Sequence, residues 1–300
     1  MDGILNIDKP RGKTSFQVVA RVRHMSGERR VGHGGTLDPE ATGVLPVSLG
    51  KGTRLLEYLI DAGKTYRAVV VLGVATDTYD ASGTVTSQCD PLSISLPDIE
   101  SAVSSFTGFI QQTPPMYSAI KSKGVPLYKW ARAGIEVDRE ARPVEFSRID
   151  VVDCALPQLT LEVDCSKGAY IRSLAHDLGQ KLGVGAHLGG LVRTRSGPFR
   201  IEDSVDMADL DAAWREERLH EMLLPIDIAV AHLPSVEVGE ADEAAILNGR
   251  APALPSWQGP AEGQWRAYAK DGRLIAILCR DDEKGCWRPR KVLVRSAGEA

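Results

Sequence analysis

Apolar positions along the chain recur now at every second residue and now at helical spacing, which predicts a mixture of strands and helices. Residues 3 to 7 (GILNI) read as a short strand stopped by the Pro- and Gly-containing turn Asp8-Lys9-Pro10-Arg11-Gly12. A helix is predicted next, capped by Thr14 or Ser15, with Phe16, Val18, Val19 and Val22 on its apolar face. Residues 43 to 49 are strand-like, and residues 53 to 60 (TRLLEYLI) predict a helix that sends Leu55, Leu56, Leu59 and Ile60 to the core. The β-branched run in residues 64 to 74 (KTYRAVVVLGV) is that of a buried strand. Residues 76 to 85 read as a turn between strands, residues 97 to 107 as a helix opened by Pro97-Asp98, and 144 to 154 with 159 to 165 as neighbouring strands. In residues 167 to 183 (KGAYIRSLAHDLGQKLG) a strand end leads into a helix whose apolar face is Ile171, Leu174, Leu178 and Leu182. On that strand end, Tyr170 and Arg172 point away from Ile171. A helix is predicted over residues 207 to 222, and pattern is lost between Pro225 and Pro234. Residues 265 to 280 are strand-like around an Asp271-Gly272 hairpin turn, followed by WRPRKVLV at 287 to 294.

Composition narrows the class. A chain of 300 residues, 43% hydrophobic and 25% charged, suits a soluble protein with one large core and a smaller module, hence two domains. No apolar run reaches membrane-spanning length, and the acidic MDGILNIDKP start lacks the pattern of a signal peptide, so a cytoplasmic protein without membrane contact is expected. Five scattered cysteines with no C-x-x-C pair read as reduced thiols rather than a zinc site or disulfide scaffold. The net charge of −4 conceals an uneven distribution: residues 201 to 248 carry 13 acids against Arg215 and Arg218, a local charge of −11, which leaves +7 elsewhere. Basic segments 1 to 60, 115 to 200 and 249 to 300 are suited to a polyanion, yet a mixed solvated surface has the same signature.

Candidate chemistry concentrates in residues 31 to 46, VGHGGTLDPEATGVLP, where four glycines and Pro39 shape a loop around Asp38. Judged by spacing, Asp38-Pro39 is most simply a turn or a helix N-cap. No GxxxxGK[ST] loop is present, since Gly52 follows Gly50-Lys51, and His33, Asp38 and Glu40 lack a recognised metal-ligand spacing. In residues 113 to 134, Lys121, Lys123, Lys129 and Arg132 are interleaved with Tyr117, Tyr128 and Trp130. That pattern suits RNA with splayed bases and, equally, an amphipathic helix with solvated charges.

Gly32 to Pro46 resembles, throughout, the catalytic loop of the bacterial tRNA pseudouridine synthase B (TruB) family, G-H-x-G-[TA]-L-D-P-x-A-T-G-x-L-P. The resemblance assigns Asp38 the role of essential nucleophile. Further motifs follow in order: NIDKPRGKTS resembles the family's opening segment, and KTYR puts Tyr66 where a tyrosine stacks on the target base. The 114 to 134 stretch resembles the family's P-P-x-[YF]-S-A-x-K segment, which lines the RNA cleft. KGAYIR implies an Arg172 that pairs with Asp38 and a Tyr170 close to the base. In LVRTRSGPF, Leu191 takes the position whose backbone contacts the flipped base; Val192 departs from the usual arginine, so an RNA contact by that side chain is not expected, while Arg193 and Arg195 remain in place. His33, by the same resemblance, fills the gap left in the RNA loop. His176 has no counterpart and reads as structural.

The implied fold is α+β: a mixed, largely antiparallel sheet flanked by helices (residues 1 to 228), closed by a small PUA-like β-barrel (229 to 300). The implied activity is isomerisation of uridine 55 in the TΨC loop of tRNA, with possible help to tRNA folding. This chemistry is redox-neutral and hydrolyses nothing, so no cofactor and no metal is expected. It needs a carboxylate at the sugar, a grip on the detached base and exclusion of water. Tyr66 or Tyr170 then assists proton removal from C5. The tRNA T stem-loop is the expected partner, with no obligate protein partner and a monomer as the default. Two other classes compete. A non-catalytic tRNA-binding protein has no need of Asp38 and Arg172 together, and a nucleoside or glycoside hydrolase needs two opposed carboxylates, of which the motifs supply one.

Overall fold

The computed structural model describes residues 1–253, 263–281 and 285–294. Strand β1 (Gly3–Lys9) is buried along almost its whole length. Its outer edge is covered by the chain at Val205 and Leu224, which exchange backbone hydrogen bonds with Asn6, Asp8 and Ile4. Helix α1 (Ser15–Ser26) begins with a reciprocal Thr14–Gln17 capping box and ends at Gly27 in the left-handed region. Val18, Val19 and Val22 are buried, but Phe16, expected on the same face, is 70% exposed. At 3.6 residues per turn it falls about 140° away from the centre of the stripe formed by Ser15, Val18, Val22 and Met25.

Strands β2 (Val31–His33) and β3 (Thr42–Leu49) flank the glycine-rich loop. The predicted helix over 53 to 60 is instead a 3-10 turn, Gly50–Leu55, followed by a short α2 (Leu56–Asp61). Leu55 and Leu59 still reach the core, whereas Ile60 is 45% exposed, since it lies about 100° round α2 from the buried Leu59. Strand β4 (Lys64–Leu72) buries Tyr66, Ala68, Val70 and Leu72 on one face. Gly73, at φ +87, divides the predicted 64 to 74 strand and starts β5 (Val74–Thr76), which pairs with β6 (Val85–Gln88) across the expected turn.

Helix α3 (Leu96–Ser104), capped by Ser95, leads to β7 (Gly108–Gln112). A small hairpin, β8 (Lys121–Ser122) and β9 (Val125–Pro126), precedes α4 (Leu127–Arg132). The expected neighbours β10 (Arg142–Ala155) and β11 (Gln158–Cys165) are an antiparallel pair. Helix α5 (Ile171–Lys181), β12 (Ala186–Ser196), β13 (Phe199–Arg200) and α6 (Met207–Arg215) follow. The predicted helix over 207 to 222 is interrupted by Glu217 at φ +59 and resumes only as a 3-10 turn, Leu219–Met222. The last part contains β14 (Ser235–Glu237), α7 (Glu240–Leu247), β15 (Gln264–Tyr268), β16 (Leu274–Asp281) and β17 (Cys286–Val292).

Nine of the described strands form one sheet, ordered β1-β3-β12-β4-β11-β10-β7, with β2 and β13 alongside. Its pairings are antiparallel except for β3 with β12, which run parallel through Val192–Thr42 and Arg193–Gly43. The fold is thus α+β with a mixed, largely antiparallel sheet. Helices α1 and α6 pack around Leu5, Ile7, Leu45 and Val47, while α3 and α5 close a second core on β4, β10, β11 and β12. A separate sheet, β14-β15-β16-β17, makes the C-terminal module, with β15 and β16 as the two arms of the Asp271-Gly272 hairpin. Leu274, Ile277 and Leu293 from this module share a cluster with Ile4, Leu55, Leu59 and Phe199 of the large domain. Among the described residues no helix is long and apolar enough to cross a membrane.

The parallel β3–β12 junction leaves no room for a side chain at Gly43. There φ is +98, and a Cβ would sit 2.3 Å from the Arg193 carbonyl oxygen. Gly43→Ala is therefore expected to cost about 2–4 kcal/mol of stability. Gly27→Ala, whose Cβ would meet nothing within 4 Å, should cost only about 1 kcal/mol. Urea-unfolding midpoints of the two variants provide the check.

Candidate active site

The loop between β2 and β3 is braced on both sides of Asp38. Gly32 and Gly34 lie so close to α2 that a Cβ would come within 2.7 Å of Leu56 and of Leu59. Leu37 is buried, with its N–H donating to Ser15 Oγ at 2.9 Å and its carbonyl accepting from the same hydroxyl at 3.1 Å. The Pro39 carbonyl accepts from Gly12 N at 2.8 Å and from Lys9 Nζ at 3.1 Å, and Ala41 N closes a turn onto the Asp38 carbonyl at 3.1 Å. The backbone of Asp38 therefore forms the turn that spacing suggested. Its side chain does something else.

Asp38 Oδ2 lies 2.9 Å from Arg172 Nε; the aspartate side chain retains 44% exposure and the arginine side chain 6%. Arg172 stands in the first turn of α5, not on a strand end. The chain leaves β11 at Cys165, turns at Gly168 with φ +81 and enters the helix after Tyr170. A period of two therefore does not apply to Tyr170 and Arg172. Arg172 Nη2 donates to the Tyr117 carbonyl at 2.8 Å and Nη1 to the Thr78 carbonyl at 3.4 Å, with Asp80 Oδ2 3.8 Å from Nη1. Asp80 is held by Thr78 Oγ1 at 2.8 Å and by Ser82 N and Oγ at 3.0 and 2.6 Å. Sequence reasoning missed Asp80. Its only signal was a carboxylate in a turn between strands, and nothing local to TDTYDASG points at a residue almost a hundred positions away.

Burial pushes the Asp38 carboxyl above its ordinary value; Arg172 opposes this, and Asp80 adds to it. Lys9 is fully buried, donates to the carbonyls of Pro10, Lys13 and Pro39, and is lowered to about 8 by burial, with Asp38 and Glu40 acting in the other direction.

Tyr66 is buried on β4, paired in register with Val163 on one side and Arg193 on the other. Burial raises its hydroxyl pKa, as it does for Tyr170, and the Asp38 charge reaches both. Leu191 is half-buried on β12 opposite Ala68, against the core that also includes Tyr66. His33 ends β2, and its Nδ1 accepts from Gly35 N at 3.3 Å. Burial, and to a smaller extent Arg193, lower its pKa.

Arg193 is not available to RNA. It is 1% exposed, and its Nε and Nη2 donate to the carbonyls of Val44 at 2.7 Å and Gly35 at 3.0 Å. The parallel β3–β12 pairing places it beneath the loop, where it ties the two ends together. Arg195 is one third exposed and bonds Thr65 Oγ1 at 2.9 Å. His176 stacks on Tyr79, ring centroids 3.8 Å apart. The basic residues of the 113 to 134 segment, Lys121, Lys123, Lys129 and Arg132, are all exposed.

The family model of TruB family pseudouridylate synthase (N terminal domain) matches residues 23–171, and that of the tRNA pseudouridylate synthase B C-terminal domain matches residues 172–231. A tRNA pseudouridine synthase B of Dehalococcoides mccartyi is 46% identical over 98% of this chain and 97% of its own length. One from Heliobacterium modesticaldum is 44% identical over 98% and 96%. Among solved structures, a chain in a Cbf5-Nop10-Gar1 complex superposes with a TM-score of 0.75 at 30% identity, covering 98% of this chain and 85% of that one. A chain in an H/ACA RNP bound to a substrate RNA containing 2′-deoxyuridine gives 0.74 at 28% identity, covering 97% and 85%. With these matches spanning nearly its whole length, the chain belongs to the TruB family of pseudouridylate synthases.

Proposed function

We propose that this protein isomerises uridine 55 in the TΨC loop of tRNA to pseudouridine, with Asp38 as the nucleophilic carboxylate. The observation that carries the reading is the ion pair between a buried guanidinium, Arg172, and the half-exposed Asp38, 2.9 Å apart on the loop that bears the family motif. A carboxylate so held is ionised and aimed while one side stays open to a sugar. In this reading the uridine is extruded from the RNA stack into the cleft, a step whose cost is offset by new stacking and backbone contacts. Tyr66 and Tyr170 hold the base, the Leu191 backbone contacts its edge, and His33 occupies the space it vacates. Both tyrosine hydroxyls remain protonated at neutral pH, since burial raises them. One of them takes up the C5 proton as its own hydroxyl proton passes to the Asp38 carboxylate, which is free again once the base has rejoined the sugar and whose charge reaches both phenols.

Residues 1 to 228 then form the catalytic domain and residues 229 to 300 a module that grips the RNA away from the site. The exposed Lys121, Lys123, Lys129 and Arg132 contact phosphates. A cytoplasmic monomer that also helps its tRNA fold completes the reading. Hydrolysis at the anomeric carbon is less well supported. The second carboxylate, Asp80, lies against the same guanidinium as Asp38, and so does not face it across an open gap.

Release of tritium from tRNA transcript labelled at uridine C5 tests the assignment directly. Wild type is expected to release one equivalent from the TΨC loop, and Asp38→Asn to lose at least about 10³-fold in rate while retaining tRNA binding. Binding without release by wild type would contradict an isomerase.

The reaction uses ionised Asp38, so its rate falls as pH drops through the carboxyl pKa. Because that pKa is raised, the acid limb of the single-turnover profile is expected above the range of an ordinary aspartate. In Arg172→Met the limb should move higher still, as the charge that lowers the pKa is gone. A limb unmoved by Arg172→Met would contradict this electrostatic account.

Affinity for tRNA should fall steeply with salt, and a Lys121→Ala, Lys123→Ala double variant should reduce the slope of log K against log salt by about 1–2. Filter binding over a range of salt concentrations gives the slope.

A further inference from the structure

Helix α5 lacks a cap of its own. Its N-cap residue, Tyr170, supplies no side-chain hydrogen bond, unlike Thr14, Ser95 and Asp206 at the starts of α1, α3 and α6. Instead, the N-cap residue is itself held from outside the helix, through its own backbone groups. Gln112, the last residue of β7 and 2% exposed, accepts from Tyr170 N through Oε1 at 2.8 Å and donates from Nε2 to the Tyr170 carbonyl at 3.0 Å. One primary amide thus grips both backbone groups of the residue two positions before Arg172.

The neighbouring contacts continue the grip. Ser173 Oγ donates to the Thr113 carbonyl at 2.8 Å and Arg172 Nη2 to the Tyr117 carbonyl at 2.8 Å. Residues 112 to 117 and 170 to 173 are therefore laced together by four hydrogen bonds, and the segment that carries the exposed Lys121, Lys123, Lys129 and Arg132 begins directly beyond them.

We propose that Gln112 is a positioning residue for the isomerisation: by clamping the Tyr170 backbone it fixes the first turn of α5, and so the Arg172 guanidinium against Asp38. The inference rests on the function proposed above. It adds that the strand carrying the 113 to 134 segment and the alignment of the catalytic pair are mechanically one unit. Gln112 itself touches no reacting atom. Its effect belongs in the chemical step and not in affinity, because Tyr170 and Arg172 act after the RNA is seated.

Two variants test this. Gln112→Met removes both bonds at similar volume; Gln112→Glu keeps the acceptor but turns an oxygen towards the Tyr170 carbonyl. With saturating enzyme and C5-tritiated tRNA, both are expected to lower the single-turnover rate by ~10- to ~10²-fold, with Kd for tRNA changed by less than about twofold. The acid limb should also shift upward: of the charged groups facing Asp38, Asp80 raises its pKa while Arg172 and, less strongly, Lys9 lower it, and the stronger of the two cations is the one loosened. A folded variant with the wild-type rate, or a loss confined to Kd, overturns the proposal. So does failure of both variants to fold, which would make the clamp a stability element. If wild type itself releases no tritium, the functional reading fails instead, and that outcome is separate from either variant's result.

Discussion

A guanidinium taken out of water must find an oxygen for every edge it presents, and this requirement at Arg172 organises much of the structure. Asp38 supplies one charged partner, the carbonyls of Tyr117 and Thr78 supply two neutral ones, and Asp80 balances the charge from farther off. These partners come from three separate stretches of chain, all distant from Arg172 in sequence, so the pair can form only when the large sheet is assembled. Removing one member would strand the other, which is why a buried ion pair specifies geometry more surely than it adds stability.

The loop that carries Asp38 answers to the same constraint. A carboxylate aimed at a fixed guanidinium needs a fixed backbone, and two buried cations provide it by serving carbonyls. Lys9 holds Pro39 from one side; Arg193 holds Gly35 and Val44 from the other. A third, Lys64, donates to the carbonyls of Leu59, Ile60 and Ala62 at the end of α2, whose Leu56 and Leu59 press on Gly32 and Gly34. Lys9 and Lys64 are both lowered to about 8 by burial, the expected cost of keeping an ammonium away from water.

The C-terminal module reaches this arrangement through α2. Lys291 donates to the Arg54 carbonyl at 2.8 Å and pairs with Glu57 at 3.0 Å, while Tyr58 hydrogen-bonds Gln264. Combined with the apolar cluster shared by the two parts, these contacts seat the module on the outer side of the helix whose inner side supports the Asp38 loop.

What the sequence determined by itself was the set of parts. Alternation and β-branching gave most strands, capping residues gave the start of α1, and the family resemblance of the motifs, not their spacing, implied Asp38 and Arg172 as partners before any distance was known. Local patterns failed where a single backbone torsion decided the outcome. Gly73 split a strand and Glu217 broke a helix. The tertiary structure alone decided which cations face solvent and which lie beneath the loop. Arg193 and Arg195 are two residues apart on one strand, and the first is buried because β12 runs parallel to β3 at that point. Asp80 and Gln112 were invisible for the same reason: their partners are distant in sequence, and a hydrogen bond across the fold leaves no periodicity in the chain that makes it.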